Sequence, residues 1–156
     1  ATIGGNVKIE NNSVGLTDIS SGSIVSGNLS IKNSDGEDTF TLSSGSNING
    51  KVTINNGEGD SGTVFSESEV GGNVSVKNGE GSDNLDILDT QIHGNVAIDN
   101  NGGSGDTITT VGDSSAIDGN FSLINERSES LPRRLQPRAS HLFHLRFTGY
   151  TAGPRC

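Results

Sequence analysis

Four aspartates recur at nearly fixed spacing in glycine-rich, acidic surroundings. Asp38, Asp60, Asp83 and Asp106 are 22, 23 and 23 residues apart. They lie in the stretches NSDGEDTFTL from Asn33, NGEGDSGTVF from Asn56, NGEGSDNLDIL from Asn78 and NNGGSGDTITTV from Asn100. If successive copies stack at the strand spacing of about 5 Å, the four carboxylates share one edge. Unit charges at that distance repel by around 0.8 kcal/mol even in water. A hard cation held by carboxylate and carbonyl oxygens removes the repulsion, and Ca²⁺ is the cofactor such a ligand set suits. The same Gly and Asp residues are also turn formers whose side chains can splay into solvent. The residues alone leave both readings open.

The elements that would hold these loops are written in a phrase that returns six times: GNVKIEN from Gly5, GNLSIKN from Gly27, GKVTINN from Gly50, GNVSVKN from Gly72, GNVAIDN from Gly94 and GNFSLIN from Gly119. Self-similarity at a period of 22 to 25 residues is the signature of a solenoid. Two residues before each glycine stands Ile3, Val25, Ile48, Val70, Ile92 or Ile117. Two residues after it stands Val7, Leu29, Val52, Val74, Val96 or Phe121, and four after it Ile9, Ile31, Ile54, Val76, Ile98 or Leu123. Alternation of β-branched and other apolar residues with small or polar ones (Lys8, Ser30, Thr53, Ser75, Ala97, Ser122) predicts strands with one buried face. A second apolar alternation follows each loop, at Phe40 and Leu42, Val64, Leu85 and Ile87, and Ile108 and Val111, with a looser first copy at Leu16 and Ile19. The fold class expected is all-β: a right-handed parallel β-helix of about 22-residue turns, because right-handed crossovers dominate.

Two columns specify the stacking. Six residues after each glycine stands Asn11, Asn33, Asn56, Asn78, Asn100 or Asn125, which predicts an asparagine ladder. Asn also tolerates a left-handed corner. The preceding column places Glu10 over Lys32 and Lys77 over Asp99, both favourable cross-strand pairs.

The third acidic loop contains Gly79-x-Gly81-x-Asp83-x-Leu85, which resembles most of the GGxGxDx-aliphatic nonapeptide of the repeats-in-toxin family. That resemblance implies half-sites for Ca²⁺ on adjacent loops, with Asp38, Asp60, Asp83 and Asp106 at or near the aspartate position and Gly36, Gly59, Gly81 and Gly105 at or near the glycine before it. The copies recur once per turn and not every nine residues, so at most a single edge would carry sites. Residues 1–125 as a whole resemble the Gly-Asn-Val β-strand repeats of large bacterial surface and secreted proteins. This implies a structural or adhesive module outside the cell, with neighbouring repeats or cell-surface components as partners.

Composition divides the chain. Residues 1–125 contain four Lys, no Arg and 17 acidic residues, a net charge of −13, whereas residues 126–156 contain six Arg and two Glu, a net charge of +4. The acidic body argues against nucleic-acid binding, which needs a basic footprint, and no apolar run approaches a membrane span. The domains expected are a solenoid at 1–125, read as a piece of a longer array because the chain begins inside a repeat, and a tail at 126–156 that is either a disordered basic extension or an out-of-frame stretch. His93 is expected to be an exposed corner residue. The Asn-x-Ser sequons at Asn11, Asn28, Asn73 and Asn120 read as by-products of the repeat, and the Thr39/Thr41 and Thr107/Thr109 pairs do not recur on every turn as an ice-binding face would require. An enzyme is not expected. The body lacks the Arg, Trp and Tyr that polysaccharide-acting β-helices use, and no turn breaks the regularity.

Overall fold

The computed structural model describes residues 1–100, 108–112 and 114–124. The Asn125 rung and the predicted tail at 126–156 lie outside the described residues. Among the described residues, seventeen strands follow one another in coils. The first coil holds β1 (Thr2–Ile3), β2 (Val7–Glu10) and β3 (Gly15–Ile19). The second holds β4 (Ile24–Val25), β5 (Leu29–Lys32) and β6 (Asp38–Leu42), and the third β7 (Asn47–Ile48), β8 (Val52–Asn55) and β9 (Ser61–Ser66). The fourth holds β10 (Glu69–Val70), β11 (Val74–Lys77) and β12 (Asp83–Leu88), and the fifth β13 (Gln91–Ile92), β14 (Val96–Asp99) and β15 (Ile108–Val111). A sixth begins with β16 (Ala116–Ile117) and β17 (Phe121–Ile124). Each strand pairs in parallel with its counterpart one coil away, giving sheets of six, six and five strands. The chain is a parallel β-solenoid, as its period predicts.

Register follows the apolar columns. Val7, Leu29, Val52, Val74, Val96 and Phe121 are successive partners, and Ile3, Val25, Ile48, Val70, Ile92 and Ile117 form the matching column of the short-strand sheet. From the second coil to the fifth, both columns are fully buried.

The third sheet departs from expectation. Val64 pairs with Thr41 and Asp86 on the outward face, while Thr63 and Phe65 point inward. The interior columns there run Thr17, Phe40, Thr63, Leu85 and Ile19, Leu42, Phe65, Ile87. Each large ring is thus set beside a smaller neighbour, and Phe40 and Phe65 meet edge to face with centroids 5.6 Å apart.

The glycine of the recurring phrase answers to close approach between coils. A β-carbon on Gly72 would lie 2.8 Å from both the Gly50 carbonyl carbon and the Lys51 nitrogen. Corners between the third and first sheets instead use left-handed backbone, at Ser21, Ser44, Glu67 and Asp89.

The asparagine ladder forms in the interior. Asn11 Nδ2 donates to Asn33 Oδ1, Asn33 to Asn56, Asn56 to Asn78 and Asn78 to Asn100, at 2.8–2.9 Å. None of these five rungs has a positive φ, so the column is asparagine for its amide and not for a left-handed corner. The expected charge registry is present at Glu10–Lys32 and Lys77–Asp99. Glu10 closes its ion pair with Lys8, at 2.7 Å on its own strand.

A second amide ladder runs along the outside. The Oδ1 atoms of Asn6, Asn28, Asn73 and Asn95 accept from the backbone N–H of Asn28, Lys51, Asn95 and Asn120. Lys51 occupies the one copy of this column without a carboxamide and offers no acceptor to the Asn73 amide above it. Lys51→Asn should complete the ladder and raise stability by about 0.5–1.5 kcal/mol. Chemical denaturation checks this, and a loss of stability would show that the rung cannot form.

Candidate functional site

The acidic loops stack as the repeat demands. A β-carbon on Gly79 would collide with the Gly57 carbonyl oxygen, and one on Gly59 with that of Gly36. Such contact leaves room for glycine alone and locks each loop to the next.

The four aspartates do not form one column. Counted from the asparagine rungs, the fifth residue is Asp38, Ser61 or Asp83, and the register confirms Asp38↔Ser61↔Asp83. Asp60 comes one residue earlier. That slip turns its side chain to the other face: Asp60 is exposed, and its Oδ1 accepts from the Ser82 amide at 2.8 Å. Asp106 lies outside the described residues. The expectation of a shared aspartate edge is corrected accordingly, with Asp38 and Asp83 inside the solenoid two coils apart and Asp60 outside.

Both inner carboxyls are 2% exposed, and no oxygen of either has a well-formed hydrogen bond. Asp38 Oδ1 points toward the gap left by the missing side chain of Gly15, where a β-carbon would lie 2.6 Å from that oxygen and from the Asn11 amide. Burial raises the Asp38 pKa, offset in part by the Gly15 backbone amide. Burial likewise pushes Asp83 up to about 6, against contacts with the Ser61 hydroxyl and amide, and the Asp60 charge adds to the rise.

The pH consequence has a definite sign. Between the ordinary value of 3.8 and about 6 the folded chain keeps a proton that the unfolded chain releases. Stability therefore climbs as pH falls through that window and is fully gained below the unfolded value. The melting temperature should be higher at pH 5 than at pH 7.5. Asp83→Asn should raise it at pH 7.5 and flatten the profile, and a profile left unchanged by that substitution would contradict the burial of Asp83.

Among the described residues no three acidic, histidine or cysteine side chains converge where an ion would sit. A polar groove of about 340 Å³ follows the corner between the third and first sheets, lined by Ser46, Glu67, Ser68, Glu69, Asp89 and Thr90. Hydroxyls bridge coils along it, with Ser68 Oγ 3.2 Å from Thr90 Oγ1.

One cluster joins residues of two neighbouring repeat columns, His93 and Asp118 just before the phrase glycines and Glu69 and Gln91 two residues earlier. His93 places Nδ1 2.7 Å from Asp118 Oδ2 and Nε2 3.0 Å from Glu69 Oε1, and Gln91 Nε2 donates to Asp118 Oδ1 at 3.0 Å. His93 is exposed, as expected, but it is a bridge. Its carboxylate partners approach opposite ring nitrogens, so the three side chains do not converge on a common ion.

The fold and these stacked polar columns define a β-solenoid repeat protein. Comparison with protein-family models, with curated proteins and with solved structures finds no match in any of the three.

Proposed function

We propose that this solenoid is a non-enzymatic structural or adhesive module, carried on the cell surface or secreted by a bacterium, whose partners are neighbouring repeats or surface components. The observation that carries this reading is how each coil uses its sequence. Apolar columns, an inner amide ladder and an outer amide ladder extend from coil to coil, so the residues are committed to propagating a rod. No helix among the described residues is long and apolar enough to cross a membrane. Lys8, Lys32, Lys51 and Lys77 are exposed, which makes location measurable. A membrane-impermeant amine reagent applied to intact source cells should label the protein, and deleting its gene should weaken attachment or matrix cohesion. Recovery only from the unlabelled cytosolic fraction overturns the reading.

Calcium binding is a second reading, favoured by the orphaned carboxyl of Asp83 beside Asp60 and by the exposed acids Glu37, Glu58 and Glu80 on the same stacked loops. Millimolar Ca²⁺ should raise the melting temperature by mass action, and Mg²⁺ should act less because it demands tight octahedral geometry. Asp83→Asn should weaken the response more than Asp38→Asn. A melting temperature indifferent to Ca²⁺ removes this reading and leaves the loops as turns.

A further inference from the structure

We propose that His93 is a proton-gated staple that fastens the sixth coil of the solenoid to the fourth and fifth. Glu69 belongs to the fourth coil, His93 follows β13 in the fifth, and Asp118 follows β16 in the sixth. The three side chains are each about half exposed, at 49, 44 and 54%, and span three successive coils. A neutral imidazole carries one N–H and one lone pair. Set between two carboxylates, it would turn that lone pair toward an oxygen at 2.7 or 3.0 Å. Only the imidazolium donates on both sides, so protonation is what closes both bonds at once.

The surroundings are arranged for this geometry. Gly71 follows Val70, the register partner of Ile92, so no side chain stands beneath the ring and His93 can reach back to Glu69. Gln91 holds the second oxygen of Asp118 and fixes the carboxylate that faces Nδ1. The charged groups acting on His93 are Asp118 and Glu69, and both favour its protonated form. The corresponding positions of the first three coils are Gly4, Ser26 and Asn49, which do not titrate. The staple is therefore local to one end of the described stack.

Its sign follows from linkage. The hydrogen bonds to Asp118 and then Glu69 raise the His93 pKa above 6.5. The staple is fully present below the unfolded-state value and is lost as pH rises through the folded-state value. Releasing it frees a coil that covers apolar surface, because Ile117, Phe121 and Leu123 pair over Ile92, Val96 and Ile98. Alkaline pH should thus loosen the sixth coil while the second to fourth coils stay closed.

Two measurements on the full chain test this. An NMR titration should place the His93 pKa above 6.5, and Glu69→Gln and Asp118→Asn should each lower it. Hydrogen exchange, corrected for intrinsic rates, should show Ala116–Ile124 opening roughly two- to fivefold more at pH 8.5 than at pH 6, the range that exposed ion pairs command. Residues 47–55 should show no such change, and His93→Gln should remove the pH dependence at 116–124. A His93 pKa at or below 6.5, a pH effect that survives His93→Gln, or equal loosening of both segments would overturn the staple.

Discussion

Val74→Asp is expected to unfold the solenoid, while Ser75→Asp, one residue on, leaves it folded. Val74 is 1% exposed and lies in the middle of the second sheet between Val52 and Val96. A carboxylate there meets aliphatic side chains above and below and has no cation or donor to pair with. The cost of an unpaired buried charge, or of the proton uptake that avoids it, is several kcal/mol. That is a large share of the roughly 5–15 kcal/mol that keeps a domain folded. Coupling between coils enlarges the effect, since a solenoid is stable through the interfaces each unit shares with its neighbours. Ser75 pairs with Thr53 and Ala97 on the outward face and is exposed, so a carboxylate there remains hydrated. Circular dichroism and thermal melting of the two variants settle the comparison. Equal damage from both would mean that the buried face has been misassigned.

Columns that repeat in every coil could be read before any coordinates. The positions of Val7 to Phe121 and Ile3 to Ile117 needed only the period and the alternation, and the inner ladder needed only the recurring asparagine. The third sheet was harder, because its loops vary in length and composition. Apolar character pointed to Val64 and acidity pointed to Asp60, yet both face outward. Counting five residues from the Asn56 rung arrives at Ser61, and from there the alternation places Thr63 and Phe65 inside. The ladder is the better origin for counting, since its asparagine recurs in every copy whereas the Gly and Asp positions shift from loop to loop. The outer amide ladder had a visible signal, asparagine after the phrase glycine in five of six copies, but its acceptor role shows only once the next coil's N–H groups are in place. The bridge at His93 was only half legible. Asp118 stands in the His93 column one coil on, each preceding a phrase glycine, but Glu69 belongs to the column of Gln91, and each carboxylate occurs in a single coil of its column, so no repeating pattern marks the bridge.

Replacing one inner rung should cost nearly as much as breaking the apolar column, and for a different reason. Asn56 is 4% exposed, accepts from Asn33 Nδ2 at 2.9 Å and donates to Asn78 Oδ1 at 2.8 Å. Asn56→Ala strands a buried donor below and a buried acceptor above. At about 1–3 kcal/mol for each unsatisfied group, the loss is roughly 2–6 kcal/mol. Asn11, at the end of the ladder, is half-buried and makes a single rung bond, so Asn11→Ala should cost much less. Two further variants separate the amide's role from that of a turn former. Asn56→Gly keeps every backbone option and removes the amide, and it should be as damaging as alanine or worse. Asn56→Asp keeps the shape and the acceptor but cannot donate to Asn78 when ionised, so its deficit should shrink as pH falls and the carboxyl becomes a donor. Equilibrium denaturation of the set at two pH values reads all four. If Asn56→Gly were tolerated, the column would be asparagine for backbone conformation, and the ladder would be a consequence of the coil stacking instead of one of its causes.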